Sequence, residues 1–350
     1  MARLRSQADH MPPAQPKRVV NRDWGDGWLK SFKSFDVRPI RAASIGQVQR
    51  ARLRDGRDKA IKIQYPGVAR SIDSDVANVS SLIGVSGLLP SGFDLAPYLT
   101  EARHHLHEEA DYLGEGACLA RFHDLLATRR SVVRPDLVGE WTTPQVLPMP
   151  YIDAQRLEDA GALSQVERNR IAGDLIDLVL RELVKFGVMQ TDPNLANYRY
   201  HKTTGRIALL DFCATRDLSA EAVSVYRRLL SPGLSSDAVS LRQVGMDLGL
   251  LSANTTARHA SAILKMIATF FLAFHEQRCF DFSDTRLTRE LNDAGTGLAE
   301  EGYVPGTVPM DVLYIQRKLG GTFLVASRLR ARLPISEMLA TYIDVHPDES

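Results

Sequence analysis

The chain reads as an α+β protein of two lobes, a small lobe on a mixed β-sheet and a larger, mainly helical one, and three observations carry that reading. Between Ile40 and Gln64, apolar residues alternate in short runs punctuated by Ser44-Ile45-Gly46 and Asp55-Gly56, a pattern of strand, tight loop, strand, turn, strand. From Ser219 onward the apolar residues recur at helical spacing instead. Between these regions, Gln190 to Cys213 holds Asp192, Asn197 and Asp211, around which the rest of the chain is organised.

Taken in order, Met1 to about Asn21 is basic and interrupted by Pro12, Pro13 and Pro16, so an extended arm is expected within an N-terminal segment 1–35. The small lobe is assigned to 36–150. Its third strand, Lys59-Ala60-Ile61-Lys62-Ile63-Gln64, puts Ile61 and Ile63 on one face and Lys62 on the other with Ala60 and Gln64. Tyr65-Pro66-Gly67 turns the chain into a helix over Ser71 to Ser81, and a second helix is expected over about Leu95 to Leu126. The cluster His104-His105-Leu106-His107 has no carboxylate or cysteine set at a metal-ligand spacing and reads as a solvated helix face. Glu109, Asp111 and Glu115 on this helix are the carboxylates available to pair with a strand lysine. Gln145 to Ile152 reads as a strand ending in a rigid turn: a plain edge strand, or a hinge whose backbone around Met149 and Tyr151 hydrogen-bonds an adenine.

The large lobe is assigned to 151–350. Ser164-Gln165-Val166-Glu167 is a capping box, and Ile171, Leu175, Leu178, Val179 and Leu183 form the apolar stripe of a buried helix that Gly187 ends. A hairpin about Thr203-Thr204-Gly205 follows Asn197 and returns the chain to Asp211. Helices are then predicted over Ala220 to Leu230, Ala238 to Leu248, Thr256 to Glu276, Thr285 to Leu298 and Pro309 to Arg330.

Forty-three Lys and Arg against forty-two Asp and Glu leave no basic field for nucleic acid, so no nucleic-acid partner is expected. Three cysteines, Cys118, Cys213 and Cys279, are far apart and form neither a disulfide framework nor a zinc motif, which fits a reducing, cytoplasmic compartment. The N-terminus lacks the apolar core of a signal peptide. The longest apolar run, near Met266 to Phe274, is read as too short to span a bilayer, leaving a soluble chain or one with peripheral membrane contact.

The chemistry lies in the central stretch. Asp192 and Asn197 have the Asp-x-x-x-x-Asn spacing of a kinase catalytic loop, and Asp211-Phe212 stands where a metal-binding Asp-Phe-Gly begins. Phosphoryl transfer needs one carboxylate to orient or deprotonate the nucleophile, and a carboxylate with an amide oxygen as hard ligands for Mg²⁺. Lys62, in Ala-Ile-Lys-Ile, sits like the strand lysine that touches nucleotide phosphates. In the first loop, where a kinase carries three glycines, only Gly46 remains, with Arg41 and Ala43 in the other places; a Cβ at Ala43 holds the backbone away from a phosphate. Only Ala214 to Leu218 separate Cys213 from the next helix cap, too little for a peptide-binding activation segment, so water or a small molecule is the expected acceptor.

These motifs in this order resemble the UbiB/AarF family of atypical kinase-like proteins over nearly the whole chain. Ala42-Ala43-Ser44-Ile45-Gly46-Gln47-Val48 resembles that family's Ala-rich loop, Ile63-Gln64-Tyr65-Pro66-Gly67-Val68 its strand-to-helix turn, and Glu109-Ala110-Asp111-Tyr112 its Glu-x-Asp motif. Gln190-Thr191-Asp192-Pro193-Asn194 and Leu209-Leu210-Asp211-Phe212 complete the set. The resemblance implies a protein-kinase-like fold and ATP or ADP with Mg²⁺ as cofactors. It implies Lys62 at the phosphates paired with Glu115, Ala42, Ala43, Ser44, Gly46 and Val48 around the nucleotide, and Glu109 and Asp111 facing the pocket. It further implies Asp192 as the catalytic acid, Asn197 and Asp211 on Mg²⁺, and a tie to ubiquinone or other isoprenoid lipid metabolism, with a quinone precursor, lipid and lipid-biosynthesis proteins as partners.

This sequence departs from the family in lacking a Lys-x-Gly-Gln motif, in carrying Arg41 for the loop's first alanine, and in carrying Cys213 for the glycine after Asp211-Phe212, which narrows backbone freedom there. Leu4 to Val20 resembles the segment that follows the Lys-x-Gly-Gln helix, so the chain is expected to begin where that helix would end. Two functions are therefore carried: an Mg²⁺-dependent atypical kinase or ATPase, and a non-catalytic nucleotide-binding scaffold in a lipid-biosynthesis complex.

Overall fold

A computed structural model of the chain describes residues 11–43, 45–86, 95–133, 136–231, 237–276 and 278–343; Ser44 and the residues before Met11 lie outside them. The chain divides into two compact units, Met1–Asp153 with Ala208–Ala214, and Ala154–Ile207 with Thr215–Ser350.

The first unit is built on a five-stranded sheet: β1 (Phe32–Phe35), β2 (Arg41–Ala43), β3 (Gly46–Leu53), β4 (Asp58–Gln64) and β5 (Val146–Pro150). β1 and β2 pair with successive halves of β3, and β4 lies between β3 and β5. Every pairing is antiparallel, so the sheet is not mixed. The strand alternation read for β4 holds. Ile61 and Ile63, fully buried, face a core with Met11, Val19, Val20, Ala51 and Val146, while Lys62 lies on the opposite face in register with Val48 and Leu147.

Residues Met11 to Trp24 are not an extended arm. Helix α1 (Ala14–Trp24) has Pro13 at its N-cap and Pro16 in its first turn, positions whose amide hydrogens lack intrahelical acceptors, so prolines there open a helix instead of breaking it. Val19 and Val20 on this helix close the back of the sheet.

The helix expected over Leu95 to Leu126 is two helices, α3 (Ala96–Glu109) and α4 (Tyr112–Leu125), following α2 (Val68–Ser86). Asp111 breaks the run by capping α4, its carboxylate accepting from the Gly114 amide at 2.9 Å. Gln64 Nε2 fixes the junction by donating to the Ala110 carbonyl oxygen at 2.9 Å. The histidines of α3 pair with Glu108, Glu109 and Asp73 on its surface.

In the second unit, the two-residue strand β6 (Gln155–Arg156) precedes α5 (Gln165–Arg181), whose capping box forms, Ser164 accepting from the Glu167 amide and Glu167 from that of Ser164. All five residues of the expected stripe are buried. The final turn, Glu182–Phe186, widens to a π-helix before Gly187, at φ 60°, reverses the chain into β7 (Val188–Gln190). β7 pairs with β10 (Thr215–Asp217). Between them run β8 (Tyr198–Tyr200) and β9 (Ile207–Leu209), with the hairpin closed by His201 N–H donating to the Arg206 carbonyl oxygen at 2.8 Å. Helices α6 (Ala220–Leu230), α7 (Ala238–Asp247), α8 (Ala257–Glu276), α9 (Arg286–Glu300) and α10 (Met310–Arg328) fall where helical spacing put them; α11 (Ile335–Ile343) was not anticipated.

The apolar run near Met266 lies within a longer helix. The Ala257–Phe274 part of α8 is 18 residues of mean hydropathy 1.3, long and apolar enough by length and composition to cross a membrane, and 17% of it is buried in the fold. Arg258 and Lys265 fall within this stretch, which is why the sequence shows a shorter uninterrupted apolar run near Met266.

Candidate functional site

In the first unit the candidate residues gather around Lys62. The central position of β4 buries its side chain on the small-residue face, and the first turn of α4 brings Glu115 to it: Nζ donates to Oε2 at 2.6 Å, with both side chains almost wholly buried. Asp211 Oδ2 lies 3.8 Å from the same nitrogen and Cys213 Sγ 3.4 Å away. Phe212 anchors the segment by packing on Phe122 of α4, ring centroids 5.2 Å apart.

One ammonium thus faces two carboxylates. Burial alone would drive Lys62 toward the neutral amine, but Asp211 and Glu115 outweigh it and hold its pKa well above the usual lysine range. Burial pushes Glu115 up, offset in part by Lys62. Burial also acts to raise Asp211, but Lys62 together with the thiol and amide of Cys213 holds it below the usual carboxylate range. Asp211 is also the more open carboxylate, its side chain 25% exposed against none for Glu115. The surplus negative charge therefore sits on the oxygen donor that solvent reaches, an arrangement suited to a hard divalent cation.

Other predicted residues divide by sheet face. Ala43 pairs with Gly46 and Val48 with Lys62, so these positions share the lysine's face, whereas Ala42 pairs with Gln47 on the opposite one. Cys213 does not adopt the left-handed backbone that favours glycine, since Arg330 is the single non-glycine residue with positive φ among those described. Asp111 is committed to capping α4, and Glu109 lies 3.5 Å from His105.

At β5, Met149 pairs with Ala60, and the Tyr151 amide donates to the Asp58 carbonyl oxygen at 3.1 Å. The alternate positions, Pro148 and Pro150, have no amide hydrogen, so the strand's open edge offers carbonyl oxygens there. A base lying on this edge would meet acceptors at the prolines, with the Tyr151 amide already engaged.

The second unit carries the loop after β7. Asp192 Oδ1 accepts from the Asn194 amide at 3.2 Å, Asn194 Oδ1 accepts from the Ala196 amide at 3.1 Å, and Asn197 Nδ2 donates to Asp192 Oδ2 at 2.7 Å. These short-range bonds fold the loop on itself. Directing the amide nitrogen of Asn197 at Asp192 leaves its carbonyl oxygen as a hard donor for a cation. Arg317 of α10 stands 3.6 Å from Asp192 Oδ1. Sequence reasoning missed Arg317, because an arginine on an exposed helix face carries no signal of its distant partner.

The sequence profile of the ABC1 atypical kinase-like domain matches residues 3–245. The mitochondrial atypical kinase COQ8 of Saccharomyces cerevisiae is 32% identical over 341 residues, covering 97% of this chain and 68% of the yeast protein. The mitochondrial atypical kinase coq-8 of Caenorhabditis elegans is 32% identical over 333 residues, covering 94% of this chain and 44% of the nematode protein. The chain thus spans about half to two thirds of the length of these relatives. Among solved structures, that of Rv3197 with erythromycin from Mycobacterium tuberculosis superposes with a TM-score of 0.73 at 21% identity, covering 95% of this chain and 83% of that one, a likeness of fold. With the sheet-based and helical units, the strand lysine and the loop in place, the chain belongs to the UbiB/AarF family of ABC1 atypical kinase-like proteins and has its two-lobed, kinase-like α+β fold.

Proposed function

We propose that this protein binds ATP with Mg²⁺ and transfers or hydrolyses its terminal phosphoryl group, with water or a small molecule as acceptor. The observation that carries the reading is the Lys62, Glu115 and Asp211 cluster, in which a buried lysine is held by one buried carboxylate beside a second, more open one. Lys62 would contact the phosphates, with Glu115 fixing its position. Asp211 and Asn197 would hold the metal, and Asp192 would orient or deprotonate the nucleophile. When bound, Mg²⁺ supplies charge neutralisation at the phosphate oxygens. The names of the relatives support a kinase-like activity. The family resemblance supports a role in ubiquinone or other isoprenoid lipid metabolism.

The test is steady ATP turnover by pure protein compared with Asp211→Asn. Turnover that disappears in the variant, with Mg²⁺-ATP affinity falling far more than metal-free ATP affinity, is the expected result. Nucleotide binding without turnover in the parent would leave the non-catalytic scaffold, and equal loss with and without Mg²⁺ would make Asp211 a structural residue.

A further inference from the structure

Lys318, in the middle of α10, is fully buried. Its ammonium donates to Gln190 Oε1 at 2.7 Å and to the Tyr198 hydroxyl at 2.5 Å, and lies 3.9 Å from Glu182 Oε2. Gln190 is the last residue before Thr191 to Asn197 and Tyr198 is the first after it, so one nitrogen ties both ends of that loop to a single point. The helix makes two further approaches to the loop. Arg317 faces Asp192, and Gly321 lies so close to Pro193 that a Cβ there would overlap the proline ring.

Burying a lysine and a glutamate is costly, and an apolar replacement of similar volume is often no less stable, so this arrangement is poorly explained as a source of stability. What it does supply is geometry. Seven residues lie between the two acceptors, and fixing both to one ammonium sets the span from which the Asp192 and Asn197 side chains project.

We infer that Lys318 is a positioning residue for the loop, holding Asp192 and Asn197 in their working orientation from α10. The inference rests on the proposed reading of Asp192 and Asn197, but its structural half can be measured without turnover. Hydrogen exchange followed by mass spectrometry reads the loop directly, because the amides of Asn194, Ala196 and Asn197 are all bonded within it. In Lys318→Met the peptide covering 191–197 should exchange at least about tenfold faster, while α5 and α6 exchange as in the parent. An unchanged loop overturns the inference, and so does an equal loss of protection everywhere, which would mark Lys318 as a core residue only.

Should Lys318→Met fail to fold, Tyr198→Phe keeps the ring and removes one of the two loop anchors; it should speed loop exchange about threefold or more, and no change overturns the proposal. In a parent that turns over ATP, Lys318→Met should lower kcat at least about tenfold and raise the Mg²⁺ requirement, with metal-free ATP affinity within about threefold. Unchanged kcat in the variant would sink the positioning role. A parent without turnover counts against the proposed function instead, and leaves the exchange result to decide the inference.

Discussion

Lys62 and Glu115, 53 residues apart in sequence, form a buried ion pair that joins the central strand of the first unit's sheet to the first turn of α4. Its Nζ to Oε2 distance of 2.6 Å is that of a strong charge-assisted hydrogen bond. Position and stability can be separated here. Lys62→Met leaves Glu115 buried without its cation and should cost about 3–5 kcal/mol, the usual loss when one partner of a buried pair is removed. Lys62→Met with Glu115→Met should recover most of that, because no orphaned charge remains on Glu115. Nucleotide affinity should fall at least about tenfold in both variants, with and without Mg²⁺. Thermal melts and nucleotide titrations on the three proteins check this, and parental affinity in the double variant would dismiss Lys62 as a phosphate ligand.

Gly46 is the glycine of the first loop that this chain keeps, and packing accounts for it. A Cβ built there falls 2.8 Å from the Tyr112 hydroxyl and inside contact distance of the Ile63 carbonyl oxygen, a backbone atom of the paired strand. Gly46→Ala should therefore destabilise by about 2–3 kcal/mol through forced strand separation. Tyr112→Phe should be neutral or stabilising by up to about 1 kcal/mol, since that buried hydroxyl has no hydrogen-bond partner among the described residues. Denaturant titration of both variants is the measurement; a tolerated alanine would leave the glycine unexplained by packing.

Cys213 stands where the family carries glycine, yet its backbone needs no glycine. Cys213→Gly should cost about 0.5–1 kcal/mol from added freedom of the unfolded chain. ATP turnover should stay within about threefold of the parent. A large gain in turnover would instead identify the thiol beside Lys62 as a brake.

What the sequence disclosed and what it hid follow from the range of the interactions. The orientation of Lys62 follows from strict alternation in β4, and the capping box from a four-residue pattern, both local rules that tertiary context here leaves intact. Pro13 and Pro16 misled because the same residue interrupts a helix interior and opens a first turn, and only the position of the cap decides which. Asp111 looks like one more polar residue of a long helix until Gln64, 46 positions from Ala110, fixes the break. Lys318 bonds a residue 128 positions away. One signal was available: it falls three residues after Ile315 on the buried stripe of α10, where a solvated lysine does not belong.

The last prediction concerns Glu182, at the start of the π-helical turn. Burial, offset in part by Lys318, pushes its carboxyl up to about 7 from an ordinary 4.5. A carboxyl with a raised folded pKa binds more protons folded than unfolded between those two values, so its contribution to stability falls as pH rises through that window and levels off above it. At about 1.4 kcal/mol per unit, the loss between pH 5 and pH 8 is on the order of 3 kcal/mol. Glu182→Gln keeps the shape and removes the titration. Relative to the parent, it should gain stability as pH rises from 5 to 8, with most of the change between pH 5 and 7, as read from urea unfolding across that range. A parent that gains on the variant over the same interval would mean that the ionised carboxylate and Lys318 attract each other strongly enough to outweigh the cost of burying both charges.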